Sequence, residues 1–169
     1  TDYIKKVQTV SKTGQGSFGE EVPGIKGIYD AALLSVSASI TAANYIVNDN
    51  PFNIAVNICG GWHHAFENKG RGFCIFNDLA IAATHLLNTH KAKTVLIFDC
   101  DVHQGDGTAQ IINQQSHKNI ITCSIHCEQN FPRLKQQSDY DFSLPAKSGD
   151  DEYIDTLQHA LALCVSINQ

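Results

Sequence analysis

The sequence predicts an α/β fold in which a parallel β-sheet is flanked by helices. Three short apolar runs, at 53–59, 94–98 and 120–125, have the length and composition of buried strands. Segments with apolar residues at helical spacing alternate with these runs, and this alternation is typical of βαβ units. The chain has 169 residues, of which 43% are hydrophobic and 17% charged. We therefore expect residues 1–169 to form a single domain with a substantial core.

Each element of the first half has its own signals. Residues 11–27 contain five glycines and one proline, which predicts a surface loop. Residues 28–47 carry apolar residues at helical spacing, and the segment 48–51 (NDNP) ends this predicted helix. The run 53–59 (NIAVNIC) is predicted to be a buried strand that leads into a pair of glycines.

The second half continues the alternation. Residues 78–87 are a predicted helix for which Asn77 is suited as the N-cap. The strands at 94–98 (TVLIF) and 120–125 (IITCSI) follow, with a short helix between them. A closing helix from 149 to about 167 carries acidic residues in its first turn, where the helix dipole favours them. Polar residues gather just after the strands, at the sheet edge where open parallel sheets bind ligands.

Composition and charge exclude several functions. The net charge of −5 and the scattered basic residues disfavour binding to nucleic-acid phosphates. No apolar run approaches the ~18 residues of a membrane span, and the N-terminus has no signal-peptide core. The six cysteines include no C-x-x-C pair, which indicates reduced thiols and a cytoplasmic location. The chain contains no methionine, so we interpret it as a processed or excised piece.

The strongest chemical signal is the segment 99–107 (DCDVHQGDG), which directly follows an apolar strand. Because alternate side chains of an extended chain point the same way, Asp101 and His103 can converge on one cation, with Asp99 on the same side. A carboxylate and an imidazole suit Zn²⁺, Fe²⁺ or Mn²⁺. The competing interpretation is a polar loop that is capped by Asp106 and turned by its glycines.

A second segment, 60–65 (GGWHHA), also follows a predicted strand. Considered alone, His63 and His64 would most simply be surface residues, but two strand ends of one sheet can bring them beside the first segment. A carboxylate bonded to each imidazole would fix its tautomer, and Asp99 and Asp106 are the candidates. One metal, two oriented histidines and no nucleophilic side chain indicate hydrolysis by metal-activated water.

A third segment, 70–78 (GRGFCIFND), combines a glycine loop with aromatic residues. Its simplest interpretation is a hydrophobic anchor between a loop and a helix. In the functional interpretation, Phe73 lines one wall of a narrow apolar slot, and Phe131, after the third strand, forms the opposite wall.

The motifs GGWHHA, GFCIFND, DCDVHQGDGT and SIH, in this order, resemble the zinc-dependent histone deacetylase family of the arginase/deacetylase superfamily. The later segments FPRLKQQSDYDFSLP and GDDEYI are most similar to its bacterial, class IV-like branch. The similarity extends from about Glu20 to the end of the chain. Family members are usually longer, so the resemblance implies the central portion of a catalytic domain that is incomplete at both ends.

The resemblance implies a metal-dependent amide hydrolase that removes acetyl or acyl groups from Nε-acyl-lysine or a related acylated amine. Asp101 and His103 would be two of the three protein ligands of the zinc. His64 would be the general base that deprotonates the attacking water and then protonates the leaving amine. His63 would assist electrostatically.

The resemblance also assigns supporting roles. Asp99 would hold His63, and Asp106 would hold His64. Four residues would contact the substrate: Gly72 through its backbone carbonyl, Phe73 and Phe131 as two aromatic walls, and Glu21 as an acidic residue at the rim. A structural potassium ion would be held by the side chain of Ser124 and by backbone groups of four other residues: Asp99, Asp101, His103 and Ile125.

Two motifs of the family do not occur in this sequence: a D-x-L-G-type loop with a further aspartate ligand, and a tyrosine after a glycine run that polarises the scissile carbonyl. Catalytic zinc sites normally use three protein ligands, so we expect these 169 residues alone to be inactive or nearly so, with exposed sheet edges. Two alternatives stay open. One is an arginase-like ureohydrolase with two manganese ions, and the other is a non-catalytic fragment or pseudoenzyme that binds acylated ligands or a partner chain.

Overall fold

The secondary structure is taken from a computed structural model that describes residues 1–48, 51–115 and 118–166. Within these ranges the chain forms five helices and six strands. In chain order they are α1 (Asp2–Thr13), β1 (Ser17–Glu20), β2 (Val22–Pro23), α2 (Ile28–Val47), β3 (Gly70–Arg71), α3 (Asp78–Asn88), β4 (Val95–Asp99), α4 (Asp106–Gln115), β5 (Ile120–Cys127), β6 (Tyr140–Leu144) and α5 (Asp150–Ser166).

The main sheet consists of β4, β5 and β6, which run parallel in this order. The predicted α/β fold with a parallel sheet is therefore confirmed. In the register of β4 and β5, Asp99 lies opposite Ser124. Because parallel strands end at a common edge, the loop that follows β4 leaves the sheet at the edge where ligands usually bind.

Helices cover both faces of this sheet. Ile120 and Ile97 point to one face, where they form a core with α3 and α4. Cys123 and Ile125 are an odd number of residues away from Ile120, so they point to the other face, where α5 packs. The alternation along β5 explains why a nearly continuous apolar run was recognisable as a buried strand.

The predicted helices are largely confirmed. α2 has the predicted bounds, and its C-cap is Asn48 in an extended conformation. Residues 49 and 50 of the predicted stop signal lie outside the described residues. The side chain of Asn77 caps α3 by accepting a hydrogen bond from the backbone N–H of Ala80, at 3.0 Å. α5 is described to Ser166, so its predicted end near residue 167 also lies outside the described part of the chain.

The prediction that residues 11–27 form a surface loop throughout was wrong. α1 continues to Thr13, and β1 then pairs antiparallel with β2 and parallel with β3. Phe18 and Val22 are buried in a cluster with α1, which gives this short sheet a hydrophobic face. One glycine is required by the pairing, because a Cβ atom on Gly19 would collide with the carbonyl group of Gly70.

The predicted buried strand at 53–59 is also a correction, because this segment forms no strand. Ile54, Val56 and Ile58 are 78%, 77% and 93% exposed. A strand requires a neighbour for its backbone hydrogen bonds, and among the described residues no strand pairs with this segment. A cavity of about 500 Å³ separates it from β4, whose second edge has no partner strand in the described part of the chain.

α2 contributes to the same open region. By length and composition it is apolar enough to cross a membrane, a property shared by core helices of globular proteins. It packs against α3 and α1. Only 17% of its most apolar part is buried among the described residues, and its remaining surface borders two cavities of about 490 and 500 Å³. An apolar helix face and the edge of β4 that pairs with no described strand therefore border the same part of the molecule.

Candidate active site

Two buried histidine–aspartate pairs form the centre of the site. The Nδ1 atom of His63 lies 2.6 Å from Oδ2 of Asp99, and Nδ1 of His64 lies 2.6 Å from Oδ1 of Asp106. Both histidines are buried, and their ring centroids are 4.0 Å apart. Because each Nδ1–H donates to a carboxylate, Nε2 of a neutral ring is left as the proton acceptor.

The first turn of α3 fixes the loop that carries the paired histidines. The carboxylate of Asp78 is completely buried and accepts hydrogen bonds from the backbone N–H groups of Gly61, at 3.1 Å, and Trp62, at 2.8 Å. It also accepts a hydrogen bond from the hydroxyl of Ser39. The backbone just before the histidines is therefore clamped by a buried carboxylate.

Asn77 extends this clamp to the other side of the histidines. Its amide nitrogen donates to the carbonyl oxygens of His63 and Ala65, at 3.3 and 3.2 Å, and to the hydroxyl of Thr108 at 2.9 Å. From the sequence, Asn77 was predicted only as the N-cap of α3, and Asp78 had no predicted role. Both residues are buried polar groups that bond to a loop distant in the sequence, and such contacts leave no periodic signal.

The loop after β4 packs directly on the histidine loop. The backbone N–H of Thr108 donates to the carbonyl oxygen of His63 at 3.0 Å. A Cβ atom on Gly107 would lie 2.6 Å from the carbonyl carbon of His64, and one on Gly105 would collide with the Asp99 carboxylate. Glycine at these two positions allows the approach that brings both aspartates within hydrogen-bonding distance of the histidines.

Asp101 and His103 lie on the open side of this arrangement. Oδ1 of Asp101 is 3.0 Å from Nδ1 of His103, and it also accepts a hydrogen bond from the backbone N–H of His103 at 2.8 Å. The two side chains are 50% and 37% exposed, respectively, and the ring of His103 lies 5.8 Å from that of His64. A carboxylate oxygen and an imidazole nitrogen thus converge beside the buried pairs.

This donor set fits part of a zinc site. Among the described residues, no group of three or more His, Cys, Asp or Glu side chains is arranged to hold a metal ion. Catalytic zinc normally has three protein ligands and one open position. Asp101 and His103 are suitable in chemistry and exposure as two of these ligands, and the third would have to come from residues outside the described chain.

Arg71, which sequence reasoning did not single out, contacts the buried end of one pair. Its Nη1 donates to Oδ2 of Asp106, and its Nε donates to Oε2 of Glu20 at 2.9 Å. The guanidinium carbon lies 4.8 Å from the centroid of the Phe131 ring. Both oxygens of Asp106 are therefore engaged, one by His64 and the other by Arg71.

The residues predicted to contact a substrate take three different positions. Gly72 has a φ of 49°, and Phe131 packs edge to face on His64 with centroids 4.9 Å apart. Phe73 is 72% exposed and lines the cavity of about 490 Å³ together with Trp62 and α2. Glu21 occupies the exposed turn between β1 and β2, with a φ of 58°.

The predicted potassium position lies at the carboxyl end of β4 and β5. Asp99 and Ser124 are opposite each other in register and border a cavity of only about 10 Å³. The hydroxyl of Ser124 lies 3.0 Å from Nδ1 of His126. The side chain of Ile125 is buried in the core, so that residue presents only its backbone to this position.

Burial and charge shift two pKa values in the site. Burial lowers the pKa of His63, but the hydrogen bond and charge of Asp99, with the charges of Asp101 and Asp106, raise it more, and the net pKa lies above the ordinary value. Burial raises the pKa of the Cys74 thiol to about 11. This thiol stays protonated at neutral pH and donates to the carbonyl oxygen of Gly72 at 3.3 Å.

Comparisons with known proteins agree on one family. Residues 1–166 match the family described as the histone deacetylase domain. An uncharacterized protein of Picosynechococcus sp. is 44% identical over 160 residues, which cover 95% of this chain and 52% of that protein. The acetoin utilization protein AcuC of Bacillus subtilis is 31% identical over 182 residues, covering 94% and 45%. Histone deacetylase 8 of Xenopus laevis is 32% identical over 171 residues, covering 89% and 51%.

The fold matches the crystal structure of a histone deacetylase homologue from Aquifex aeolicus with a TM-score of 0.75. That match covers 98% of this chain and 49% of the other chain at 22% identity, so it supports the fold alone. The chain thus spans about half the length of the relatives it matches. Because the family match runs from residue 1 to residue 166, this chain belongs to the histone deacetylase family.

Proposed function

We propose that the protein containing this chain is a metal-dependent hydrolase that removes acetyl or acyl groups from Nε-acyl-lysine or a related acylated amine. The observation that carries this proposal is the pair of buried histidine–aspartate contacts, each at 2.6 Å, next to Asp101 and His103. Membership of the histone deacetylase family supports a deacetylase-type reaction.

His64 is the proposed acid–base residue. Its Nδ1–H donates to Asp106, so Nε2 can accept a proton from the attacking water and return it to the leaving amine. The carboxylate of Asp106 stabilises the imidazolium that forms between these two steps, and it is fully buried, so no solvent competes for it. His63, held by Asp99, would act electrostatically beside this ring.

The proposed metal is zinc, with Fe²⁺ as an alternative, and Asp101 and His103 would hold it. Such a cation supplies a Lewis acid that makes water nucleophilic at neutral pH. A third ligand and an oxyanion-stabilising tyrosine would come from outside this chain. We also propose a structural potassium ion near Ser124, where positive charge would offset the neighbouring aspartates.

The substrate would approach along the aromatic residues next to His64. Phe131 already packs on the His64 ring, and Phe73 presents an exposed ring on the adjacent loop. An apolar acyl-lysine stem would contact these rings, with its amide near the carbonyl of Gly72 and its backbone near Glu21. The acidic balance of the chain supports an acylated amine rather than a nucleic acid as the partner.

The test is an acyl-chain-length series of fluorogenic acyl-lysine substrates with the full-length protein, together with its metal content. We expect turnover that a hydroxamate blocks, and one zinc per active domain. Urea release with two manganese ions would instead identify a ureohydrolase. Ligand binding without any turnover would identify a non-catalytic protein, and either result would refute the proposal.

A further inference from the structure

The side chain of Arg71 connects three parts of the site. One end contacts Asp106, whose side chain is completely buried, and the other contacts Glu20, whose side chain is 60% exposed. The arginine side chain itself is only 15% exposed. It therefore reaches from the solvent-facing edge of β1 to the carboxylate that holds His64.

The backbone of Arg71 is fixed independently of this side chain. Arg71 lies opposite Glu20 in the parallel pairing of β3 with β1, and its N–H donates to the carbonyl oxygen of Cys74 at 3.0 Å. The guanidinium then stacks 4.8 Å from the centroid of the Phe131 ring. A strand pairing, an ion pair and an aromatic ring thus hold the guanidinium in one orientation.

We propose that Arg71 is a positioning residue, which acts through Asp106 to hold His64 in the orientation that proton transfer requires. The proposal rests on the proposed function. A carboxylate has two oxygens and can rotate about its bond to Cβ. With Oδ2 bound to Arg71, Oδ1 is fixed on Nδ1 of His64.

Charge gives a second reason for an arginine at this position. A buried carboxylate without a positive partner is strongly disfavoured, because it loses its hydration. The guanidinium supplies a positive partner to the Asp106 carboxylate on the oxygen that does not contact His64. A lysine would supply the charge but could not bond two carboxylates in one plane while stacking on an aromatic ring.

The decisive variants are Arg71→Met, which removes the charge but keeps most of the stem, and Arg71→Lys. In the full-length protein with an acetyl-lysine peptide, we expect Arg71→Met to reduce kcat about 10- to 100-fold. KM should change less than about threefold, because Arg71 acts on the base and not on bound substrate. Arg71→Lys should recover only part of kcat. The matched control is Arg133→Met at an exposed position, where we expect less than a twofold change.

Two further readouts separate positioning from a general structural effect. Methylguanidinium added to Arg71→Ala should restore part of kcat, which a merely destabilised protein would not show. In the ¹H NMR spectrum, the low-field resonance of the His64 Nδ1 proton should weaken or shift in Arg71→Met. An unchanged kcat in folded Arg71→Met, or in Arg71→Lys if the methionine variant does not fold, would overturn the proposal.

The NMR measurement also keeps this inference distinct from the proposed function. If the wild-type protein does not hydrolyse any acyl-lysine, the proposed function fails, whereas the His64 resonance still reports whether Arg71 orders the Asp106–His64 contact. A resonance that is identical with and without Arg71 would refute the positioning role in that case.

Discussion

A Cβ atom on residue 72 would lie 2.7 Å from Cδ2 of His64, so Gly72 and His64 are packed as closely as a glycine permits. The same atom would lie 3.2 Å from the Phe131 ring, and the φ of Gly72 is 49°, which a residue with a side chain rarely adopts. The glycine in the sequence R-G-F is therefore required by the position of the histidine and not only by the turn.

Gly72→Ala tests this contact. We expect the methyl group to displace His64 and to reduce kcat by about 100-fold, because misplacing a catalytic group by ~1 Å has effects of that size. The measurement is kcat of the full-length enzyme. Gly149→Ala is the matched control, since a Cβ atom there has no neighbour within 4 Å. Equal activity of the two variants would contradict the packing argument.

His64→Ala and Asp101→Ala should separate the base from the metal. His64→Ala removes the proton acceptor, so turnover should fall by about 10²- to 10⁴-fold while the metal content is unchanged. Asp101→Ala should lose both metal and turnover. Activity and metal content of the full-length variants measure the two effects. A near-normal rate for His64→Ala would show that the acid–base assignment is wrong.

Asp78→Ala should destabilise the protein although it removes no catalytic group. It removes the buried acceptor of the N–H groups of Gly61 and Trp62, and each hydrogen bond to a carboxylate contributes about 1.5–3 kcal/mol. We therefore expect a loss of about 3 kcal/mol in the free energy of unfolding, measured by denaturant titration. Asp155→Ala, on the exposed side of α5, is the control and should change stability by about 0.5 kcal/mol or less. A similar value for both would mean that Asp78 does not clamp the loop.

The Cys74 thiol provides a pH test. Its pKa is about 11 when folded, compared with 9.0 as the ordinary value, so the folded protein binds this proton more tightly than the unfolded chain. Stability from this group is full below pH 9 and is lost as the pH rises from 9 towards 11. Since only the thiolate is alkylated, Cys74 should resist iodoacetamide at pH 8 and react only at higher pH. Peptide mass spectrometry measures this, and rapid labelling of native Cys74 at pH 8 would contradict it.

The sequence predictions succeeded for elements whose signal lies in neighbouring residues, and they failed where a structure depends on contacts that are distant in the sequence. α2, α3 and β5 carry their own apolar period, so their existence was readable from local residues. α1 carries a similar signal, since Tyr3, Val7 and Val10 share one helical face, although no helix was predicted there. The segment 53–59 was predicted to be a strand because it is a short apolar run that leads into two glycines, yet pairing depends on a neighbour that the local sequence does not supply.

For the candidate active site too, residues that act through distant contacts could not be predicted from the sequence. Histidines and aspartates that follow strand ends were candidates because of their type and their place at the sheet edge. Arg71 and Asp78 were missed, because each acts through a contact with a group that is distant in the sequence. A lone arginine beside glycines, or an aspartate at a helix start, has many ordinary explanations. Only the position of Asp106 and of the loop before the histidines gives these residues a role.

One edge of β4 pairs with no strand in the part of the chain that the structure describes, and we expect its effect to differ between two lengths of the protein. Val56 is exposed in the segment that faces β4 across the cavity of about 500 Å³. In residues 1–169 alone, we expect no acyl-lysine turnover and self-association through these apolar surfaces, and Val56→Lys should reduce that association. In the full-length protein the same change should lower stability by about 2 kcal/mol or more, because the remaining half would cover Val56 and bury the new charge.

The control for this contrast is Val165→Lys, an exposed position on α5, which packs on β5 and β6; it should have little effect at either length. Size-exclusion chromatography with light scattering measures association, and thermal unfolding measures stability. Opposite effects of Val56→Lys at the two lengths would mean that 53–59 becomes an internal strand only when further chain pairs with it. If Val56→Lys were neutral in the full-length protein, this segment would be a surface loop in both, and the open edge of β4 would need another explanation.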